Sequence, residues 1–121
     1  MKRLISLFTV LCLPLTGGVA QAADLGLITQ KFEELAQYAD VAHQGFVEQN
    51  KAKGCFAEGM LYATAKLLTD EHFGDMTNEQ AKKAVYVSMS MAQFSQFCMT
   101  GTDASLQAVA KEALKVKKLL H

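Results

Sequence analysis

The sequence has no charge excess, no clustered histidines and only three cysteines. Twelve basic residues balance twelve acidic ones. Without Lys2 and Arg3 the balance becomes slightly acidic, so there is no electrostatic case for nucleic-acid binding. After the N-terminal stretch no segment is long and apolar enough to span a bilayer. His43, His72 and His121 fit neither an H-x-x-x-H nor an H-E-x-x-H spacing. No Cys-x-x-Cys-His haem attachment occurs, and no serine sits in a nucleophile elbow. Internal repeats and low-complexity linkers are also missing. These gaps remove the usual signatures of an enzyme and leave no residue set that calls for a cofactor.

The N-terminal stretch reads as an address. Lys2 and Arg3 form a positive region, Leu4 to Leu15 an apolar one bent near its end by Pro14, and Ala20-Gln21-Ala22 a small-x-small cleavage site. The pattern predicts a secretory signal over 1–22 and a single mature domain over 23–121; the competing reading is an uncleaved N-terminal anchor. Cys12 would leave with the signal. It lacks the small preceding residue of a lipoprotein site, since Leu11 stands there. An exported chain of this kind would reside in the periplasm, with no membrane insertion after cleavage.

The predicted mature chain keeps Cys55 and Cys98, which allows one pairing in a compartment where thiols oxidise. The alternative is two independent buried thiols. Two lone cysteines are too few for structural zinc, which takes four ligands.

Apolar spacing predicts an all-α fold: a small four-helix domain with one intramolecular disulfide. Leu25, Ile28, Phe32, Leu35, Ala39, Ala42 and Phe46 recur at steps of three and four, predicting a helix over 24–50. Asn50 to Gly54 reads as a break. A second helix follows over 55–69, with Phe56, Met60, Ala63 and Leu67 as its stripe. Its small residues Ala57, Gly59, Ala63 and Ala65 would let a neighbour approach. Asp70 to Met76 reads as a turn. Thr77-Asn78-Glu79-Gln80 is a capping box that starts a third helix, running to about Cys98. Val85, Val87, Met89 and Met91 alternate with polar residues as a strand would, but the cap and the flanking alanines favour helix. Thr100 to Asp103 breaks the chain again. Leu106, Val109, Ala113, Val116 and Leu120 then line a fourth helix, whose lysines cluster toward its C-terminus. In an antiparallel hairpin of helices two and three, Cys55 and Cys98 stand at the same end.

Two groups of residues stand out. Asp70, Glu71, His72 and Asp75 are the one cluster resembling a metal or acid–base site. Gly74 falls one place early for a calcium loop and no distal Glu closes it, so a solvated turn is the simpler reading. On the third helix, Tyr86, Met89, Phe94, Phe97 and Met99 cannot all share one core stripe with Val85 and Ala92. They are candidate partner-binding residues on a second apolar face. The competing reading is a central helix surrounded by the other three.

The start Ala23-Asp24-Leu25 resembles that of periplasmic four-helix b-type cytochromes. Helix one lacks the methionine ligand and helix four the histidine ligand, so haem is not expected. A second resemblance covers more of the chain. Gly54-Cys55, Gly59, Phe97-Cys98-Met99 and a closing helix with Gln107, Val109 and Leu114 resemble the immunity proteins of type VI secretion amidase effectors. The resemblance implies a small periplasmic helical protein with an intramolecular disulfide, often homodimeric, that binds and blocks a peptidoglycan-cleaving amidase. The fold it implies is similar to that of the HdeA-like periplasmic acid-stress chaperones, which supplies an alternative function.

Overall fold

The computed structural model of the chain describes residues 13–95, 98 and 100–121. Among them are four helices: α1 Leu13–Val47, α2 Lys51–Glu71, α3 Asn78–Ser95 and α4 Asp103–Leu120, with a single 3₁₀ turn at Phe73–Asp75 between α2 and α3. The all-α expectation holds, and the alternating stretch at 85–91 is helical. α1 runs through the predicted cleavage site at Ala22. The basic region and most of the apolar run that precede it lie outside the described residues.

The connections follow from local chemistry. α1 closes with Gln49 in the left-handed region, at φ 60°. Asn50 N–H then donates to Gly45 O at 2.7 Å and Gln49 N–H to Phe46 O at 3.1 Å, the paired closure of a Schellman motif. Asn50 serves both helices. Its side-chain oxygen accepts from Lys53 N–H at 3.1 Å and so caps α2. The break read from sequence at 50–54 therefore falls earlier, at the three residues 48–50, and Lys51 to Gly54 already form the first turn of α2. The capping box at the start of α3 is present in both directions. Thr77 N–H donates to Gln80 Oε1 at 2.9 Å, and Gln80 N–H to Thr77 Oγ1 at 3.1 Å. α4 opens with Leu106 N–H bonded to Thr102 O at 2.9 Å.

α2 packs along both α1 and α3, and α4 packs along α1 while touching α3 only lightly. The main core draws Ile28, Leu35, Ala39 and Ala42 from α1 and Ala57, Leu61, Ala65 and Leu68 from α2. α3 adds Ala84, Val87 and Met91, and α4 adds Ala113 and Val116. Leu25, first of the predicted α1 stripe, is exposed. The stripes of α1 and α4 otherwise turn inward as the spacing predicted. At the far end of α4, His121 Nε2 lies 2.8 Å from Asp40 Oδ1 and ties the last turn to α1.

Cys55 and Cys98 are bonded, with Cα atoms 5.8 Å apart, and close the outer end of the α2–α3 hairpin. The two helices differ from expectation in length: α2 has 21 residues and α3 has 18. α2 is longer because its first turn begins at Lys51 and its last reaches Glu71.

The stripe predicted for α2 is on the wrong side. Phe56 and Ala63 are exposed and Met60 and Leu67 half-buried, while Cys55, Glu58, Leu61, Ala65 and Leu68 are buried. The disulfide turns Cys55 toward α3 and takes the face that contains Glu58 inward. A carboxylate at the centre of the inner stripe hid its periodicity. The small residues divide likewise. Ala57 and Ala65 are buried, while Gly59 and Ala63 face outward with nothing within 4 Å of a Cβ at Gly59.

Candidate functional site

Of the residues that sequence reasoning singled out, α3 carries Tyr86, Met89 and Phe94, and the bundle disposes of them differently. Met91 is fully buried, and two residues earlier Met89 is 68% exposed. With 3.6 residues per turn, a step of two rotates a side chain more than halfway round the axis. Tyr86 is half-buried and donates its hydroxyl hydrogen to Glu112 Oε2 at 2.5 Å. Ser90 Oγ donates to the same oxygen, also at 2.5 Å. This carboxylate gathers two hydroxyls across the thin α3–α4 contact. The bond to Glu112, helped by burial, raises the Tyr86 phenol above its ordinary pKa. Phe94 packs on a second, smaller cluster formed by Cys55, Cys98 and Val109, so much of its ring is committed internally. Phe97 and Met99 lie outside the described residues.

Phe73 belongs with this face and was missed. It sits in the 3₁₀ turn, 54% exposed. A shallow groove of about 460 Å³ runs from Phe73 along Asn78, Ala81, Lys82, Val85 and Tyr86. On the other side of the Asn78–Lys82–Tyr86 ridge, Glu79, Lys83 and Leu119 help line a second groove of about 570 Å³. The signal for Phe73 was present in the sequence: a large aromatic flanked by His72 and Gly74 in a turn otherwise suited to water. The acidic cluster there is dispersed by its neighbours. Asp70 meets Lys66 at 3.0 Å, and His72 Nδ1 lies 3.9 Å from Asp75 Oδ2. Among the described residues no three His, Cys, Asp or Glu side chains gather in a way that could hold a metal ion.

The other notable ionisable group is Glu58 on α2. It is 1% exposed, and neither carboxylate oxygen has a hydrogen-bond partner. Burial alone pushes its pKa up to about 7. A buried ionised carboxylate without a donor is costly, so the folded bundle favours the neutral acid.

Chemically, the α3 face offers apolar area, one adaptable methionine, an aromatic ring and a flanking lysine. Such a surface suits adsorption onto another protein. No protein-family model, no curated protein and no solved structure matches the chain.

Proposed function

We propose that the protein is a non-enzymatic binding domain of the cell envelope that seats a folded protein partner on the outer face of α3. In its specific form, it is an immunity protein that covers and blocks a peptidoglycan amidase effector. The observation that carries the docking reading is the contrast between Met91, buried, and Met89, 68% exposed on the same helix. Half-buried Val85 and Tyr86 and exposed Phe73 extend that apolar surface. Methionine adapts its shape to a partner at small conformational cost. The immunity assignment rests on the resemblance of Gly54-Cys55, Gly59 and Phe97-Cys98-Met99. Periplasmic residence rests on the signal-like segment 1–22 and agrees with the disulfide, and a homodimer belongs to the same reading.

The alternative, an HdeA-like acid-stress chaperone, requires acid to open the fold. Glu58 works against that, because acid neutralises it and removes its burial cost.

The test uses the disulfide-bonded protein recovered from the envelope, titrated by calorimetry and by peptidoglycan-cleavage assay against amidases of the effector class. Met89→Asp should keep the helical circular dichroism and weaken binding at least about tenfold, as loss of a central interface anchor does. Met91→Asp should unfold the bundle. Collapse of helicity in Met89→Asp, or undiminished binding, would sink the α3 reading. Absence of inhibition of any such amidase would remove the immunity assignment.

A further inference from the structure

We propose that the groove between α3 and α4, with the lysines around it, receives an acidic segment of a protein partner in which carboxylates flank an apolar side chain. The inference gives the chemistry of the partner seated on α3 and rests on that docking reading.

The neutral charge of the whole chain hides a division. From Asp24 to Asp75, which spans most of α1 and all of α2, nine acidic residues stand against four lysines. From Glu79 to Lys118, which spans α3 and α4, six lysines stand against three acidic residues. The bundle is therefore acidic on one pair of helices and basic on the other. The acids of the basic pair do little to offset it. Glu112 is occupied by the hydroxyls of Tyr86 and Ser90. The Glu79 side chain is 81% exposed and lies 4.0 Å from Lys83, a contact that water largely screens. Asp103 stands at the far end of α4. Lys82, Lys111, Lys115 and Lys118 are exposed and pair with no carboxylate among the described side chains.

Helix geometry lines these cations up. Lys111, Lys115 and Lys118 follow at i, i+4 and i+7 and share the outer face of α4. Lys115 is one turn from Glu112 and one from Leu119, the residues through which α4 meets the α3 side, so the basic row runs beside the groove. On α3, Lys82 precedes Met89 by seven residues, about two turns along the same outer face. A partner over Met89 therefore reaches Lys82 and the groove of about 570 Å³ beside it. That groove exists because α4 touches α3 only lightly. Half-buried Tyr86 and Leu119 give it an apolar seat, and Lys82 and Lys83 a positive rim.

The helix dipole does not account for this placement. It favours cations in the last turn of α4, where Lys117 and Lys118 stand. Lys111 and Lys115 precede that turn, and Lys82 and Lys83 lie near the start of α3, the end where the dipole disfavours cations. Adsorption on a bilayer needs an apolar side chain on the cationic face to enter the acyl boundary. Among the described residues, none of the large exposed hydrophobics is on α4. The one arginine of the chain is Arg3, so the forked donor suited to nucleic-acid phosphates is missing from the patch. Protein carboxylates spaced along a groove with an apolar seat match both the charge and the shape.

The experiment titrates the intact, disulfide-bonded protein at neutral pH with a synthetic peptide of glutamates flanking a leucine and a phenylalanine. Binding is read by nitrogen-15 amide shifts and fluorescence anisotropy. Shifts should concentrate at Lys82, Lys83, Tyr86 and the last turns of α4. Lys82→Glu combined with Lys115→Glu should weaken binding at least about tenfold, and Lys82→Arg with Lys115→Arg should preserve it. Raising salt from about 0.05 M to about 0.5 M should weaken the parent about tenfold and the glutamate variant much less. Lys82→Ala with Lys115→Ala serves if the glutamate pair loses helicity. Equal binding of a peptide with lysine in place of glutamate, shifts centred on Lys51 and Lys53, or undiminished binding by the variant would each overturn the inference. Tighter binding to phosphatidylglycerol vesicles than to the peptide overturns it in favour of a membrane surface. Self-association that the same variant abolishes overturns it in favour of a second copy of this chain. Against the amidases of the preceding test, loss through Met89→Asp with none through the lysine pair sinks this inference alone. Loss through the lysine pair with none through Met89→Asp upholds the acidic partner and removes its seat on Met89.

Discussion

Gly45 and Gly54 meet backbone to backbone where α1 gives way to α2. A Cβ on Gly45 would lie 2.5 Å from Gly54 N and 2.8 Å from its Cα. A Cβ on Gly54 would instead meet the Phe46 ring at 2.9 Å. Backbone cannot yield as a ring can. Gly45→Ala should therefore destabilise by about 2–4 kcal/mol, as overpacking against fixed atoms does, and Gly54→Ala by roughly half as much. Urea unfolding of the two variants checks the order. Equal losses would mean that the helices do not approach this closely.

The disulfide closes a loop with a sequence separation of 43. On the chain-entropy model that constraint contributes about 4 kcal/mol. The Cys55→Ala, Cys98→Ala double variant should show a much lower urea midpoint with the helical spectrum retained at low denaturant. A midpoint unchanged from the parent would show that the unfolded chain is not constrained as the model assumes.

Glu58 makes stability fall with rising pH. Its folded pKa of about 7 stands above the ordinary 4.5, so the folded state binds the proton more tightly than the unfolded chain. The contribution is complete below the ordinary value and disappears as pH rises through neutrality, a loss of about 3 kcal/mol. Unfolding free energies of the parent and Glu58→Gln, compared across that window, should differ by a pH-dependent amount of this order. A constant difference would place the titration elsewhere.

Tyr86 should ionise at higher pH than a free tyrosine because its hydroxyl donates to Glu112. Ultraviolet titration of the parent minus that of Tyr86→Phe isolates its transition from those of Tyr38 and Tyr62. Glu112→Gln should move the transition toward the ordinary value and cost about 1 kcal/mol of stability, the usual net worth of such a bond. An unshifted transition would show that the α3–α4 clamp is not formed in solution.

Legibility varied with the kind of interaction. The capping box at Thr77 and Gln80 was readable because both partners lie within one turn. The inward stripes of α1 and α4 were readable because no charged residue interrupts them. α2 was misread on two counts. Asn50, taken as part of a break, has a capping side chain whose effect depends on the Schellman closure before it. Glu58 occupies an inner position that apolar periodicity assigns to a hydrophobic residue. At the site, Met89 was legible as off-stripe, whereas the tie of Tyr86 to Glu112 and the packing of Phe94 in one cluster with Cys55 and Val109 join residues distant in sequence.

Spacing, caps and two cysteines were sufficient to determine a four-helix, disulfide-tied chain, because those signals act over a few residues or through a single covalent bond. Which face of α2 turns inward, which tyrosine is clamped and which methionine faces outward were decided only when the helices packed. Those outcomes depend on the summed contacts of several helices, and a side chain such as Glu58 can be carried into the core when its neighbours gain more by burial than it loses.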